Sequence, residues 1–415
     1  VAQEFQYIQD ILKDYYAPAI VNQVYKKAPF WAQIKKLTKG VYGKKIVIPV
    51  TTAFTEAVGA RVANNYNLPT ADKNTYDQAN IYMKRNYGRI KVDGFSIESA
   101  KGKGGWVDIV TAETKGVSNA FALDIDRQSL GRGDAVLGHV ASTSGSTITV
   151  DNPFGFTEAS TARLFRAGMK IDGYDEADGT KHVDSLQISS ISGNTLTMDA
   201  STGISDLADG DLIVREDSFS TTVANIGEMM GLDGLVSDSN YPSPSTAAAG
   251  TTFEAIATST DYSWKSYVDS TSQVISETVI QELLDSVEQN TDGESVNFAM
   301  TTYSIRNKLI EIMLGDRMLK EMNLKAGWKA LKYIGGSIEL PIMVHKNLNT
   351  GHFYVASLSH IKFYTLKKLV WDNKGGGIVK PVAGEDAYEA WFKMYGNIGT
   401  DCRNAHGKLT GLTTS

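Results

Sequence analysis

The sequence predicts an α+β subunit that cannot bury all of its own surface. Three observations carry this. The chain opens with an amphipathic segment and a long β-ribbon that have no core of their own. A single long helix is followed by a Gly-, Ser-, Thr- and Asp-punctuated block containing an internal repeat. The C-terminal half then mixes strands with helices.

Residues 1–37 place Phe5, Ile8, Ile11, Leu12, Tyr15, Tyr16, Ile20 and Val24 at helical spacing, interrupted by Pro18 and Pro29. This is an arm too small to hold a core. "KKIVIPVTTAF" (Lys45 to Phe54) and "NIYMKRNYGRIKVDGFSI" (Asn80 to Ile97) are extended runs, joined through the polar "ARVANNYNLPTADKNTYDQ". Two strands with a long polar tip form a ribbon that needs a partner surface in water. In Gly104 to Gly133, Trp106, Val110, Val117 and Phe121 mark one face of a long helix, and Gly131 and Gly133 supply its stop.

Over residues 134–217, "SGSTITVD" (Ser144–Asp151) returns as "SGNTLTMD" (Ser192–Asp199), with Val140 and Ile188 in matching places upstream. Each copy leads to a Gly-turned strand, "LFRAGMKID" or "LADGDLIVR". Two strand–turn–strand–strand units predict a six-stranded barrel or sandwich that closes its own edges. "SDSNYPSPSTAAAGTT" has linker composition. A second helical pattern is expected from near Tyr262 through Trp264, Val268, Ile275, Val279, Leu283 and Val287. "VNFAMTTYSIRNKLIEIM" reads as a strand running into a helix, and "IELPIMVHKNL", "HFYVASLSHIKFYTL" and "DAYEAWFKMYGNI" read as strands.

Composition bounds the function. Apolar residues at 42% and charged residues at 21% describe a globular chain. No apolar run approaches the ~20 residues of a membrane span, and no secretory opening is visible. One cysteine excludes an intramolecular disulfide and a thiolate-rich zinc site, and it fits a reducing cytosol. With net charge −6 and no basic block, the chain is expected to tolerate DNA without gripping it.

Candidate chemistry reduces to ordinary roles. Cys402 and His406 lie where a strand leads into turns, with no helix N-terminus to activate a thiol, so a structural role is expected. Arg132–Gly133–Asp134 falls where the helix stops. "DGYDEADGTKHVD" (Asp172 to Asp184) departs from the EF-hand register at Tyr174, and Asp178-Gly179 reads as a hairpin turn. "KGKGGW" and "NKGGGIV" lack the strand context and Gly-Lys-Ser/Thr ending of a phosphate loop. The six histidines are scattered. No catalytic, cofactor or metal set is expected.

The order of parts resembles the major capsid proteins of tailed bacteriophages with the HK97-type fold. The runs that carry the resemblance are "NAFALDIDRQSLGRGD", "GLDGLVSDSN", "YIGGSIELPIMVHKNL" and "YEAWFKMYGNIGTDCRNAHGKLTGL". It implies an N-terminal arm (1–45), an extended β-ribbon loop (46–94), the spine helix of a peripheral domain (95–133) and an inserted β-barrel-like domain (134–217). A linker or peripheral segment (218–251), an axial domain (252–385) and a returning peripheral strand with the C-terminus (386–415) follow.

The implied function is a shell subunit assembling into pentamers and hexamers of an icosahedral virion around double-stranded DNA, built in a bacterial cytoplasm and not at a membrane. Portal, scaffold or protease, and a decoration protein are the implied partners. The alternative on the same fold is an encapsulin-type compartment. Subunit contacts are expected at Phe5, Ile8, Tyr15, Phe54, Arg61, Tyr66, Lys73, Tyr76, Arg85, Trp106, Arg127 and Arg403. Lys73 lies in the ribbon tip, but no motif identifies an Asn that it would crosslink.

Overall fold

The computed structural model describes residues 28–38, 40–62, 67–95, 105–151, 164–239, 252–258, 264–291, 296–313, 320–323, 329–335, 338–373 and 377–414. A short helix α1 (Pro29–Gln33), with proline in its first turn, leads into β1 (Lys35–Leu37). β2 (Lys45–Ala53) and β3 (Thr75–Tyr82) then pair with each other as an antiparallel ribbon, from Lys45↔Tyr82 to Ala53↔Thr75. Pro49 stands opposite Gln78 near the middle. The second extended run is divided at Met83: β3 belongs to the ribbon, and β4 (Lys84–Asp93) joins a larger sheet.

Helix α2 (Gly105–Leu130) buries Phe121, Ala122 and Ile125. The chain then closes a barrel from β5 (Val136–Ser144), β6 (Thr147–Val150), β7 (Lys170–Tyr174), β8 (Lys181–Ser192), β9 (Thr195–Met198) and β10 (Leu212–Arg215), in the order β10-β5-β6-β9-β8-β7. The repeat is visible as two-fold pseudosymmetry. β6 and β9 pair about the equivalent residues Ile148 and Leu196. β7 and β10 pair about the equivalent residues Asp172 and Val214. Gly168 N donates to Ile188 O and Gly210 N to Val140 O, each at 2.8 Å. Both repeat hairpins turn on a glycine, Gly145 and Gly193, at φ +58°. Fifteen buried residues, among them Ile148, Phe165, Ile188 and Leu196, give the barrel a core of its own.

Past the barrel come α3 (Leu232–Leu235), β11 (Tyr267–Asp269), β12 (Gln273–Val274), α4 (Glu277–Asn290), β13 (Phe298–Thr301) and α5 (Tyr303–Met313). β14 (Lys320–Asn323), β15 (Lys329–Gly335), β16 (Ile338–Val344), β17 (Phe353–Ala356), β18 (Ile361–Trp371) and β19 (Lys380–Pro381) follow. β20 (Ala387–Thr400), β21 (His406–Leu409) and β22 (Leu412–Thr413) end the chain.

Two main sheets result. The first runs β1-β18-β20-β19 with β4 also on β20, and α2 packs on it. Phe121 of α2 meets Phe392 of β20 edge-on at 5.0 Å. Phe392 lies directly over its cross-strand partner Gly88, where a Cβ would stand 2.2 Å from its ring, so only glycine fits. The second sheet runs β11-β21-β17-β13-β16-β15-β14. Its cover is α4, capped by Ser276 Oγ accepting from Val279 N at 3.3 Å, with Ile280, Leu283, Leu284 and Val287 turned inward.

Two expectations are corrected. Of the helical pattern expected from Tyr262, which itself lies outside the described residues, the long α-helix begins only at Glu277. Upstream, the Ser-Thr-Ser run after Asp269 favours turns, and Thr271 N donates to Asp269 Oδ1 at 2.9 Å. The chain from 386 onward does not return to one domain. β20 lies in the first sheet, a 3₁₀ turn (Arg403–Ala405) redirects the chain, and β21 pairs with β11 and β17 in the second. Conversely, β18, expected in the axial domain, pairs with β1 and β20. The boundary at 385/386 is therefore not where the sheets divide.

Candidate assembly surface

The ribbon is held at its base and bare at its tip. At the base, Ala79 and Ile81 are buried, Asn80 N donates to Glu254 O at 2.6 Å and Met83 N to Lys44 O at 2.9 Å. Asn397 secures the junction by donating to Tyr82 O at 2.9 Å and accepting from Met230 N at 2.8 Å. Toward the tip, ladder pairing stops at Ala53↔Thr75. Beyond it Thr55 N donates to Asn74 Oδ1 at 2.9 Å and Arg61 Nε to Asn67 O at 3.0 Å, which shapes the loop locally. Phe54 is 78% exposed, Leu68 88% and Tyr76 62%, with Val58 and Val62 similarly bare. Each such side chain gains about 1.5–3 kcal/mol when fully covered. Lone exposed apolar residues are unremarkable, but five on one protrusion form an apolar surface that the subunit itself leaves uncovered.

Of the expected contact residues, Phe54, Arg61, Lys73, Tyr76 and Arg85 are exposed in this subunit. Phe5, Ile8, Tyr15 and Tyr66 lie outside the described residues, as does the side chain of Trp106, whose backbone is in the first turn of α2. Val58, Val62 and Leu68 were missed because each stands singly among Gly, Asn and Pro. Their signal was apolar side chains inside turn-forming composition, where no alternation offers them a buried face.

Arg127 and Arg403, also expected at contacts, use their charges inside the subunit. Arg127 donates to Glu228 Oε2 at 2.9 Å and to Asp124 Oδ1 at 3.0 Å. Burial opposes its charge, but the two carboxylates outweigh burial and hold it protonated. Arg403 is 0% exposed, and its guanidinium lies 3.9 Å over the Phe253 ring. It donates to Leu235 O at 3.2 Å and Ser239 O at 2.8 Å, and burial pulls its pKa down to about 9 despite Glu254 and Asp238. Its role is to fasten the turn between the two sheets.

A second internal hub is Asp233 of α3. Lys408 Nζ and Tyr354 OH reach its Oδ1 at 2.9 Å, and Arg132 Nε reaches Oδ2 at 3.2 Å. Burial would raise this carboxyl, but Lys408 and Arg132 outweigh it and hold the group well below the usual carboxylate range. The arginine of the RGD run is thus spent on tying α2 to the second sheet. Its Asp134 is buried, accepting from Val136 N at 3.1 Å.

The thiol and imidazole do not form a pair. Cys402 Sγ donates to Asn404 Oδ1 at 3.0 Å, whereas His406 Nε2 meets Thr400 Oγ1 at 3.2 Å. In the acidic loop, Asp175 Oδ1 accepts from Ala177 N at 2.6 Å, and Gly179 turns the hairpin at φ +75°.

Residues 212–413, just under half of the chain, match the model of the family described as SU10 major capsid protein. Comparison with curated proteins returns no match. Among solved structures, a chain of the cyanophage A-1(L) capsid asymmetric unit aligns at TM-score 0.54 and 11% identity, over 93% of each chain. The satellite phage P4 procapsid, including the size determination protein, gives 0.40 at 8% identity over 95% of this chain and 99% of the other. The holo-SrpI encapsulin complex from Synechococcus elongatus PCC 7942 gives 0.45 at 7% over 93% and 89%. The last two lie below the level at which a shared fold is argued. The family match over residues 212–413 favours the phage head over the bacterial compartment, the two readings that the sequence left open. Residues 212–413 thus share the sequence pattern of the SU10 major capsid proteins, and the chain as a whole has the α+β HK97-type capsid fold.

Proposed function

We propose that the subunit closes into pentamers and hexamers around double-stranded DNA, and that its ribbon, residues 46–94, lies across a neighbouring copy. The observation that carries this is the ribbon tip, whose strands pair only with each other among the described residues and whose Phe54, Val58, Val62, Leu68 and Tyr76 are bare. A head-to-tail contact of this kind is heterologous, and heterologous contacts close into rings when the rotation between copies permits. Each subunit gives its ribbon to one neighbour and receives another, so contacts of moderate strength sum to a shell that comes apart slowly. The barrel, residues 134–217, reads as an insertion into this fold, because it owns its core and both of its connections leave near the end of α2. A portal and a scaffold or protease, with a decoration protein in heads that carry one, are the partners that go with this reading.

Deleting Arg61–Asp77 tests the reading. The shortened subunit keeps its secondary structure by circular dichroism and fails to form stable shells by electron microscopy. Normal closed particles from that deletion would remove the ribbon from assembly.

A further inference from the structure

The net charge of −6 conceals a division. Residues 134–217 hold fourteen Asp and Glu against five Lys and Arg, a net −9, which leaves +3 for the rest of the chain. Among the described residues, no large apolar side chain is exposed on the barrel. The barrel stands on the α2 side of the first sheet: Arg215 pairs with Asp124 of α2 at 2.6 Å, and Lys84 Nζ reaches back to Ile226 O at 2.7 Å, past the barrel's exit.

The other face of that sheet has the opposite character. β4 alternates strictly, turning Lys84, Asn86, Gly88 and Ile90 inward and Arg85, Tyr87, Arg89 and Lys91 to solvent. In register beside them, Tyr395 stands opposite Arg85 and Lys393 opposite Tyr87 on β20, with Lys367 of β18 next to Tyr395. Tyr87 and Tyr395 meet edge-on at 5.9 Å. Arg89 is paired with Glu389 and Lys91 with Glu385, while Lys393 and Lys380 share Asp372. Asp93 closes the row. Cations outnumber carboxylates, and Arg85 and Lys367 have no ion pair among the described residues.

We propose that this cation- and tyrosine-lined face looks into the head and touches the phosphate backbone of the packaged duplex without reading its sequence. The inference rests on the reading that the shell encloses DNA. In a single-layered shell each subunit shows one face inward and the other outward. Turning the barrel inward would set −9 per subunit against a polyanion, whereas the reverse sets the cation face there. Copies lying side by side cannot bring one subunit's barrel to the opposite face of the next. The sequence hid this surface because its cations come from three distant strands and form no run.

The test measures binding of random-sequence duplex DNA to the unassembled full-length subunit by fluorescence anisotropy across a KCl series. The parent binds weakly, with Kd on the order of 10⁻⁴ to 10⁻⁶ M, and its affinity falls steeply with salt. The pair Arg85→Gln/Lys367→Gln lowers the log–log salt slope by about two. Arg85→Glu/Lys367→Glu abolishes binding, and the barrel control Lys170→Gln changes nothing. Equal affinity and slope in parent and face variants, or a parent that does not bind, overturns the proposal. Electron microscopy of the same variants keeps the two readings apart. Closed particles with lost DNA affinity support it, whereas lost particles with unchanged affinity assign the face to a second copy and overturn it.

Discussion

At position 406 an imidazole is buried between the sheets, with Ser357 N at 3.3 Å from Nδ1 and Thr400 Oγ1 at 3.2 Å from Nε2. Burial is the main reason its pKa falls to about 3; His360 and Arg403 add repulsion, and Asp401 opposes them. An unfolded histidine titrates near 6.5. Between those values the unfolded chain binds a proton that the fold refuses, so this group's contribution is intact above about pH 6.5 and is lost as pH falls toward 3. Asp134 acts in the opposite sense, since burial raises it to about 7 and stability declines as pH climbs from about 4. A difference measurement separates them. His406→Gln keeps a hydrogen-bonding side chain and removes the titration. The stability gap between variant and parent should shrink by up to about 1.4 kcal/mol per pH unit below pH 6.5. Urea midpoints of the unassembled subunit give the gap, and one independent of pH would show that the imidazole accepts its proton while folded.

Among the elements, the barrel is the most self-contained. Its closed ladder leaves no sheet edge, and its core is a separate cluster from those under α2 and α4. Replacing residues 134–217 with a short linker should leave the remaining fold intact, with melting of the two sheets shifted by only a few degrees in a calorimetric scan. Loss of all cooperative melting would show that the barrel supports them. Much of this level was legible in the sequence because local chemistry sets it. Period-two and period-3.6 patterns found β2, β13, β16, β20 and α2, and the glycine-turned repeat found the barrel strands. What local chemistry does not set was misread: the apolar spacing through Trp264 and Val268 imitates a helix, but the Ser-Thr run breaks it. Nothing local could show that β18 and β21 belong to different sheets, since a buried arginine 0% exposed to solvent decides that turn.

For the whole molecule, the fold separates what is satisfied within one chain from what is not. Arg127, Asp233 and Arg403 have their partners at home, so the charges of these two arginines are engaged within one chain. The apolar side chains of the ribbon tip stay bare, and Arg85 and Lys367 of the cation face have no ion pair, among the described residues of one subunit. The arm, residues 1–27, lies outside those residues, so the expectation for Phe5, Ile8 and Tyr15 stays a proposal.

Pro49 has a further consequence at this scale. A two-stranded ribbon carries bare edges, and bare edges invite other ribbons to zip on, which grows fibres instead of closed containers. A proline at the midpoint of β2 withholds one donor from any continuous ladder along that strand and so discourages such stacking. Pro49→Thr should therefore divert part of the product into thioflavin-positive filaments at the expense of round particles, and undiminished particle yield without filaments would show that the edge is guarded by something else.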